Sequence, residues 1–130
     1  MVPNTIGPPL IQYKVISNET KTKIIFEQMG VERQLDNTAD LYIYRIVQEL
    51  INNAVKHAAP NQILIQLTKT TDKVLLTVED DGKGFNKEQV ELAKGIGIKN
   101  IQQRVYYLKG KIDIASQSGE GTSVNIELNV

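Results

Sequence analysis

The sequence predicts an α+β fold, a two-layer sandwich in which helices cover one face of a mixed, mostly antiparallel sheet. Three observations lead there. Residues 40–58 hold no Gly or Pro and repeat Ile43, Ile46, Val47, Leu50, Ala54 and Ala58 at helical spacing. Several short segments alternate apolar and polar residues as strands do. The alternation leaves the apolar side chains on a single face of each strand, so the sheet needs cover on that face only.

Residues 1–21 are punctuated by Pro3, Pro8 and Pro9, and residues 10–16 read either as a short helix after Pro9 or as a strand. Residues 22–28 read as the first strand and residues 30–37 as a polar connection. The helix over 40–58 follows, with Asp40 near its N-terminal end and Pro60 beyond its last turn. Residues 62–69 and 73–79 alternate around Ile63, Ile65 and Leu67 and around Val74, Leu76 and Val78, with the polar residues 68–72 between them, a hairpin pattern. Asn86 can cap a short helix over 87–93, with Gln89 at the capping-box position. Ile98, Ile101, Val105 and Leu108 stripe a further helix that ends at Gly110. Ile112 and Ile114, then Val124, Ile126, Leu128 and Val130, mark a final hairpin around residues 116–121.

With 130 residues, 41% hydrophobic and 23% charged, the chain suits one soluble domain with a proper core. Fifteen basic and fifteen acidic residues cancel, so the balance carries no electrostatic footprint for nucleic acid or an anionic membrane. The lack of cysteine excludes a disulfide framework and a thiolate zinc site, and leaves oxygen ligands or the lone His57 for any metal. No apolar run nears the roughly twenty residues that span a bilayer, and a cytoplasmic location is expected.

Four segments carry chemistry. At about 100° per helical residue, Glu49, Asn53 and Lys56 share one stripe beside the apolar arc. An amide oxygen suits a hard cation, a lysine suits phosphate, and a carboxylate can orient a proton; alone, however, the stripe reads better as a solvated face. Asp80-Asp81-Gly82-Lys83-Gly84 puts acids at the end of an apolar strand and glycines just after it. Such glycines admit a flat ligand, and such a carboxylate can accept from an exocyclic amine like that of adenine, although a Gly-rich turn with solvated acids has the same pattern. Gly95-Ile96-Gly97-Ile98 opens a helix whose free N–H groups suit phosphate, or merely caps it. Gly119-Glu120-Gly121-Thr122 enters the last strand with a hydroxyl, and alone is a hairpin turn.

Together and in this order the four segments resemble the GHKL superfamily, which groups gyrase, heat-shock chaperone, histidine kinase and mismatch-repair ATPases. Glu-Leu-Ile-Asn-Asn-Ala-Val-Lys-His-Ala at 49–58 is similar to its N box, and the three glycine segments to its glycine boxes. The flanking Tyr44-Arg45-Ile46-Val47-Gln48 and Lys99-Asn100-Ile101-Gln102-Gln103-Arg104 are similar to sensor kinases paired with helix-turn-helix response regulators. The resemblance implies a Bergerat-type ATP-binding fold over 22–130, with residues 1–21 the remnant of a linker to an upstream dimerisation and phosphoacceptor domain. It implies ATP and Mg2+ as cofactors, Asn53 as metal ligand and Glu49 as the catalytic residue that polarises the incoming nucleophile. Lys56 would contact phosphate and His57 is counted at the nucleotide site. Asp80 would bind the adenine amine with support from Thr122, and Gly82 and Gly84 would shape the adenine pocket. Gly95, Gly97 and Ile98 would hold the phosphates.

The implied activity is transfer of the terminal phosphate to a histidine on a separate domain, in two-component signalling. His57, inside the nucleotide-site helix, is not read as that histidine, so the chain alone is expected to bind ATP without phosphorylating itself. The partners implied are the phosphoacceptor domain and a response regulator, with a homodimer for the full-length protein, a monomer for this stretch, and neither nucleic acid nor direct membrane contact; an inner-membrane anchor elsewhere is left open. The alternatives are a serine kinase of the anti-sigma-factor type, and a non-catalytic nucleotide-binding or docking module.

Overall fold

A computed structural model describes residues 22–57, 60–84, 98–117 and 119–130. Its elements in chain order are β1 (Lys23–Gly30), α1 (Asn37–His57), β2 (Gln62–Lys69), β3 (Val74–Asp80), α2 (Lys99–Tyr107), β4 (Lys111–Gln117) and β5 (Gly121–Leu128). The strands form one sheet in the order β1-β2-β3-β5-β4. Only β1 and β2 run parallel, which α1 allows by crossing between them; every other pair is antiparallel. The expected α+β class and mixed sheet are thus found. The readings over 10–16 and 87–93 lie outside the described residues.

Two helix boundaries have a local cause. The Asp36 carboxylate accepts from the Ala39 N–H at 2.8 Å, capping α1 and starting it three residues before the expected Asp40. Asp40 instead sits in the first turn, where its charge meets the positive end of the helix dipole. α2 closes with a pair of reverse bonds: Gly110 N–H donates to Val105 C=O and Lys109 N–H to Tyr106 C=O, both at 2.9 Å. The left-handed residue in that cap is Lys109 (φ 56°), not the glycine expected there. Gly110 answers a different demand, because a Cβ on it would lie 2.3 Å from the Glu127 carbonyl oxygen of β5.

The register lines the strands into rows on the helix-covered face. Phe26, Ile65, Val78, Val124 and Ile114 form one row; Gln28, Leu67, Leu76, Ile126 and Ile112 form the next. Against them pack Ile43, Ile46, Leu50 and Ala54 of α1 and Ile101 and Val105 of α2. The two helices run antiparallel and touch through Tyr42 and Tyr107, whose ring centroids are 4.9 Å apart. The opposite sheet face carries polar pairs beside the apolar Ile25, Leu64 and Leu75: Gln66 bonds Glu27, Thr77 bonds Asn125, and Lys73 pairs with Glu127 at 3.0 Å.

Connectivity assigns the two ends of this sandwich different tasks. At the β2–β3 turn, the Arg33 guanidinium donates to the carbonyls of Thr70, Lys73 and Val130, tying the β1–α1 connection to that turn and to the last residue. At the other end lie the finish of α1, the start of β2, the finish of β3 and the start of β5. Among the described residues no helix is long and apolar enough to cross a membrane.

Candidate functional site

On the covered face, the row at that second end breaks the apolar pattern. It reads Ile24, Ile63, Asp80, Thr122, Ser116, so three polar side chains stand where the core rows carry Val and Ile. The alternation of β3 turns Asp80 to the same side as Val78 and Leu76 and thereby half-buries a carboxylate. Burial pushes the Asp80 carboxyl above its ordinary value; the neighbouring Asp81 charge adds to this, while the Gly82 and Thr122 N–H groups oppose it. Gly82 N–H donates to Asp80 Oδ1 at 2.8 Å.

Asp81, one residue on, points the other way. Its Oδ1 accepts from the Asn61 and Gln62 N–H groups, each at 2.9 Å, and so ties the end of β3 to the start of β2. Of two adjacent acids, one holds the chain together and the other faces an opening. That opening is a cleft of about 520 Å3 lined, among the described residues, by Asp80, Ile114, Ser116, Gly121 and Thr122 together with their strand neighbours.

The glycines here are forced by backbone approach. A Cβ on Gly84 (φ 66°) would lie 2.1 Å from the Gln117 carbonyl oxygen, and one on Gly121 (φ 84°) 2.2 Å from the Asp80 carbonyl oxygen. Gly119 N–H donates to Lys83 C=O at 2.6 Å. Two of the glycine segments therefore interlock main chain to main chain, and the approach that Gly84 permits is of one loop to the other. Gly82, buried and bonded to Asp80, is the glycine against the acid itself.

α1 brings its polar stripe toward the same end. Glu49 and Asn53 are half-buried and Lys56 exposed, flanking the buried Ile46, Leu50 and Ala54. The helix finishes at His57, just before Asn61 and Gln62, the residues that Asp81 holds. α2 points its N-terminus there too, because its C-terminus leads within a few residues into the start of β4 at the far end. Ile98, at the head of α2, is buried and supplies no side-chain cap, so the first-turn N–H groups lack that internal partner.

Of the residues singled out from sequence, the structure brings Asp80, Gly82, Gly84 and Thr122 into one constellation. It sets Glu49, Asn53, Lys56 and Ile98 on helices aimed at that end, without a bond to Asp80 among the described residues. Gly95, Gly97 and the His57 side chain lie outside what is described. The sequence reading passed over Asp81, Gly121 and Ser116 as individual contributors. For Ser116 a signal existed: a strand residue six positions before Thr122, across a short turn, falls opposite it on the same face.

Residues 38–130 match the family of histidine kinase-, DNA gyrase B- and HSP90-like ATPases (HATPase_c). The chain belongs to that family. Among curated proteins, this ATPase domain is 38% identical over 97 residues to the sensor histidine kinase ComP of Bacillus subtilis, covering 74% of this chain and 13% of that protein. It is 31% identical over 127 residues to the signal transduction histidine-protein kinase/phosphatase DegS of the same organism, covering 93% of this chain and 33% of that one. The chain thus spans a third or less of these two relatives. Among solved structures, the histidine kinase domain of a blue-light activated kinase from Erythrobacter litoralis superposes with a TM-score of 0.69 at 22% identity, over 90% of this chain and 57% of that one. The histidine kinase AdeS of Acinetobacter baumannii gives 0.69 at 21%, over 92% and 60%. At those identities the two structures speak for the fold.

Proposed function

We propose that this ATPase domain is the ATP- and Mg2+-binding catalytic domain of a sensor histidine kinase, serving transfer of the terminal phosphoryl group of ATP to a histidine on a separate dimerisation domain. One observation carries the reading: a half-buried carboxylate, Asp80, stands beside Thr122 on adjacent strands, both lining an open cleft at the end of the sheet toward which α1 and the head of α2 both point. The backbone N–H groups of Gly82 and Thr122 offset only part of what burial costs this carboxylate, and an exocyclic amine is a donor that would offset more.

In this reading Asp80 accepts from the adenine amine, Thr122 supports that contact, and Gly82 and Gly84 set the shape of the base end. Lys56 supplies a point charge to the phosphates beside His57, while Gly95, Gly97 and the head of α2 at Ile98 give them N–H donors. Glu49 polarises the N–H of the incoming imidazole so that its other nitrogen attacks. The residues fit a magnesium ion: the Asn53 side chain offers a hard amide oxygen one turn from the Glu49 carboxylate. When bound, Mg2+ would neutralise charge on the transferred phosphoryl group.

The same reading makes residues 1–21 a linker to the phosphoacceptor domain and a response regulator the downstream partner. It makes the full-length protein a homodimer and gives this domain a cytoplasmic setting. Calorimetric titration with ATP, with Mg2+ or with EDTA, tests it. Asn53→Ala is expected to abolish the Mg2+-dependent part of binding, and unaltered affinity would remove the metal assignment. Transfer of labelled phosphate to an added histidine-bearing helical domain tests the reaction; nucleotide binding with no transfer would leave a binding module.

A further inference from the structure

The two helices cover the sheet unevenly. α2 packs over β4 at one edge and α1 over the middle of the sheet at β3, while β1 forms the other edge. Yet β1 is not bare on the covered face, where Ile24 is fully buried and Phe26 half-buried. α1 shows the same excess of burial. Tyr42 touches α2, and Ile51 follows it by nine residues, which at about 100° each sets Ile51 on the opposite flank of the helix. With Val47 and Val55, one turn to either side, it makes an apolar stripe that faces away from α2 and toward the β1 edge. Ile51 is 5% exposed, and Val47 and Val55 are half-buried.

Beyond β1 the described residues hold no further strand or helix to cover that stripe. The connection over 31–36 ends where α1 begins, roughly 20 Å along the axis from Ile51. Two longer stretches lie outside the described residues, and only one of them starts at this edge. Residues 85–97 run from Gly84, whose backbone meets Gln117 of β4, to Ile98 at the head of α2, so both their ends lie on the α2 side. Residues 1–21 lead into Thr22, whose Oγ1 donates to the Pro60 carbonyl at 3.0 Å, just past the end of α1 and beside β1. That stretch holds the apolar run Leu10, Ile11, Tyr13, Val15 and Ile16. The six residues from Ile16 to Thr22 span up to about 20 Å, enough to bring the run back along α1.

We propose that residues 10–16 dock in the groove between β1 and α1, against Phe26, Val47, Ile51 and Val55, as a third cover of the sheet. Glu49, Asn53 and Lys56 share the flank of Tyr42, so the segment meets α1 from behind and leaves the cleft open. It gives the chain entering from residue 1 a direct hold on the helix that carries that stripe. The inference rests on packing and stands independently of the nucleotide reading.

The chain has no cysteine, so one introduced thiol reports local cover. Ile51→Cys is probed with N-ethylmaleimide in the native chain, first alone and then with Leu10→Ser, Ile11→Ser, Tyr13→Ser, Val15→Ser and Ile16→Ser together. Ile101→Cys, buried under α2, reports global opening in the same two backgrounds. The thiol at 51 should react slowly in the first background and at least roughly tenfold faster in the second, with the thiol at 101 slow in both. Rapid reaction in the first background, or a slow rate that the serine changes leave alone, overturns the inference. So does protection at 51 that weakens on dilution, the mark of a second copy on this flank. Where the serine changes expose 101 as well, Ile16→Cys with Val55→Cys decides: a short bismaleimide should join the two within one chain. No such link, or a link only between chains, overturns the inference.

Discussion

Asp80→Asn separates binding from stability in a way that its neighbour does not. The substitution keeps an oxygen for the Gly82 N–H, which bonds Oδ1 at 2.8 Å, but removes a charge that burial and the adjacent Asp81 both disfavour. Because the folded state raises the Asp80 pKa above its ordinary 3.8, the protonated form is the one the fold prefers. Its stabilising contribution is complete below the unfolded value and is lost as pH rises through the folded one. At neutral pH the ionised acid therefore costs stability, and Asp80→Asn should melt no lower than wild type without ligand. The gain stays under about 1 kcal/mol because the group is only half-buried. Nucleotide affinity moves the opposite way. Losing a charge-assisted bond to an amine costs about 1 to 3 kcal/mol, or roughly 5- to 150-fold in dissociation constant. Wild-type ATP affinity should also fall as pH drops through the raised pKa, whereas Asp80→Asn should lack that dependence. Thermal denaturation of the ligand-free chain and calorimetric titration from neutral to acid pH read both effects. A variant that melts well below wild type, or that binds ATP as tightly, refutes the reasoning.

Asp81→Ala should show the reverse pattern, losing about 1 to 3 kcal/mol in a denaturant melt as the Asn61 and Gln62 N–H groups lose their acceptor, with ATP affinity changed far less than in Asp80→Asn. Gly121→Ala places a methyl 2.2 Å from the Asp80 carbonyl oxygen at φ 84°; we expect about 2 to 4 kcal/mol of destabilisation together with weakened nucleotide binding, and a near-neutral melt would contradict the interlocked loops. Ile101→Ala empties a fully buried position under α2 and should cost about 2 to 5 kcal/mol by chemical denaturation, with the folded fraction still binding ATP.

How far the sequence is legible depends on the reach of each signal. The strands were readable because their alternation is local: Ile63, Ile65 and Leu67, or Val74, Leu76 and Val78, name the core face without reference to anything else. The start of α1 was misplaced because the capping group, Asp36, lies inside a run that otherwise reads as polar connection. Gly110 drew the helix-end assignment away from Lys109 because glycine there has two explanations, and only the approach of Glu127 tells them apart. Strand order and the parallel β1–β2 pair are tertiary choices that no local pattern encodes. At the candidate site, Asp80 was singled out by its place at a strand end before two glycines, and Thr122 by a resemblance of whole segments. Asp81 was not, because its partners are two backbone N–H groups twenty residues away, and a backbone group leaves no letter in the sequence.

The contact between Gly84, Gln117, Gly121 and Asp80 also limits how this end of the molecule can be redesigned. An engineer wishing to reshape this cleft cannot graft a single loop from elsewhere. The acid would arrive without the neighbouring main chain that fixes its bearing. Both turns must be exchanged as a unit, and random variation confined to either one should yield mainly unfolded or blunted products.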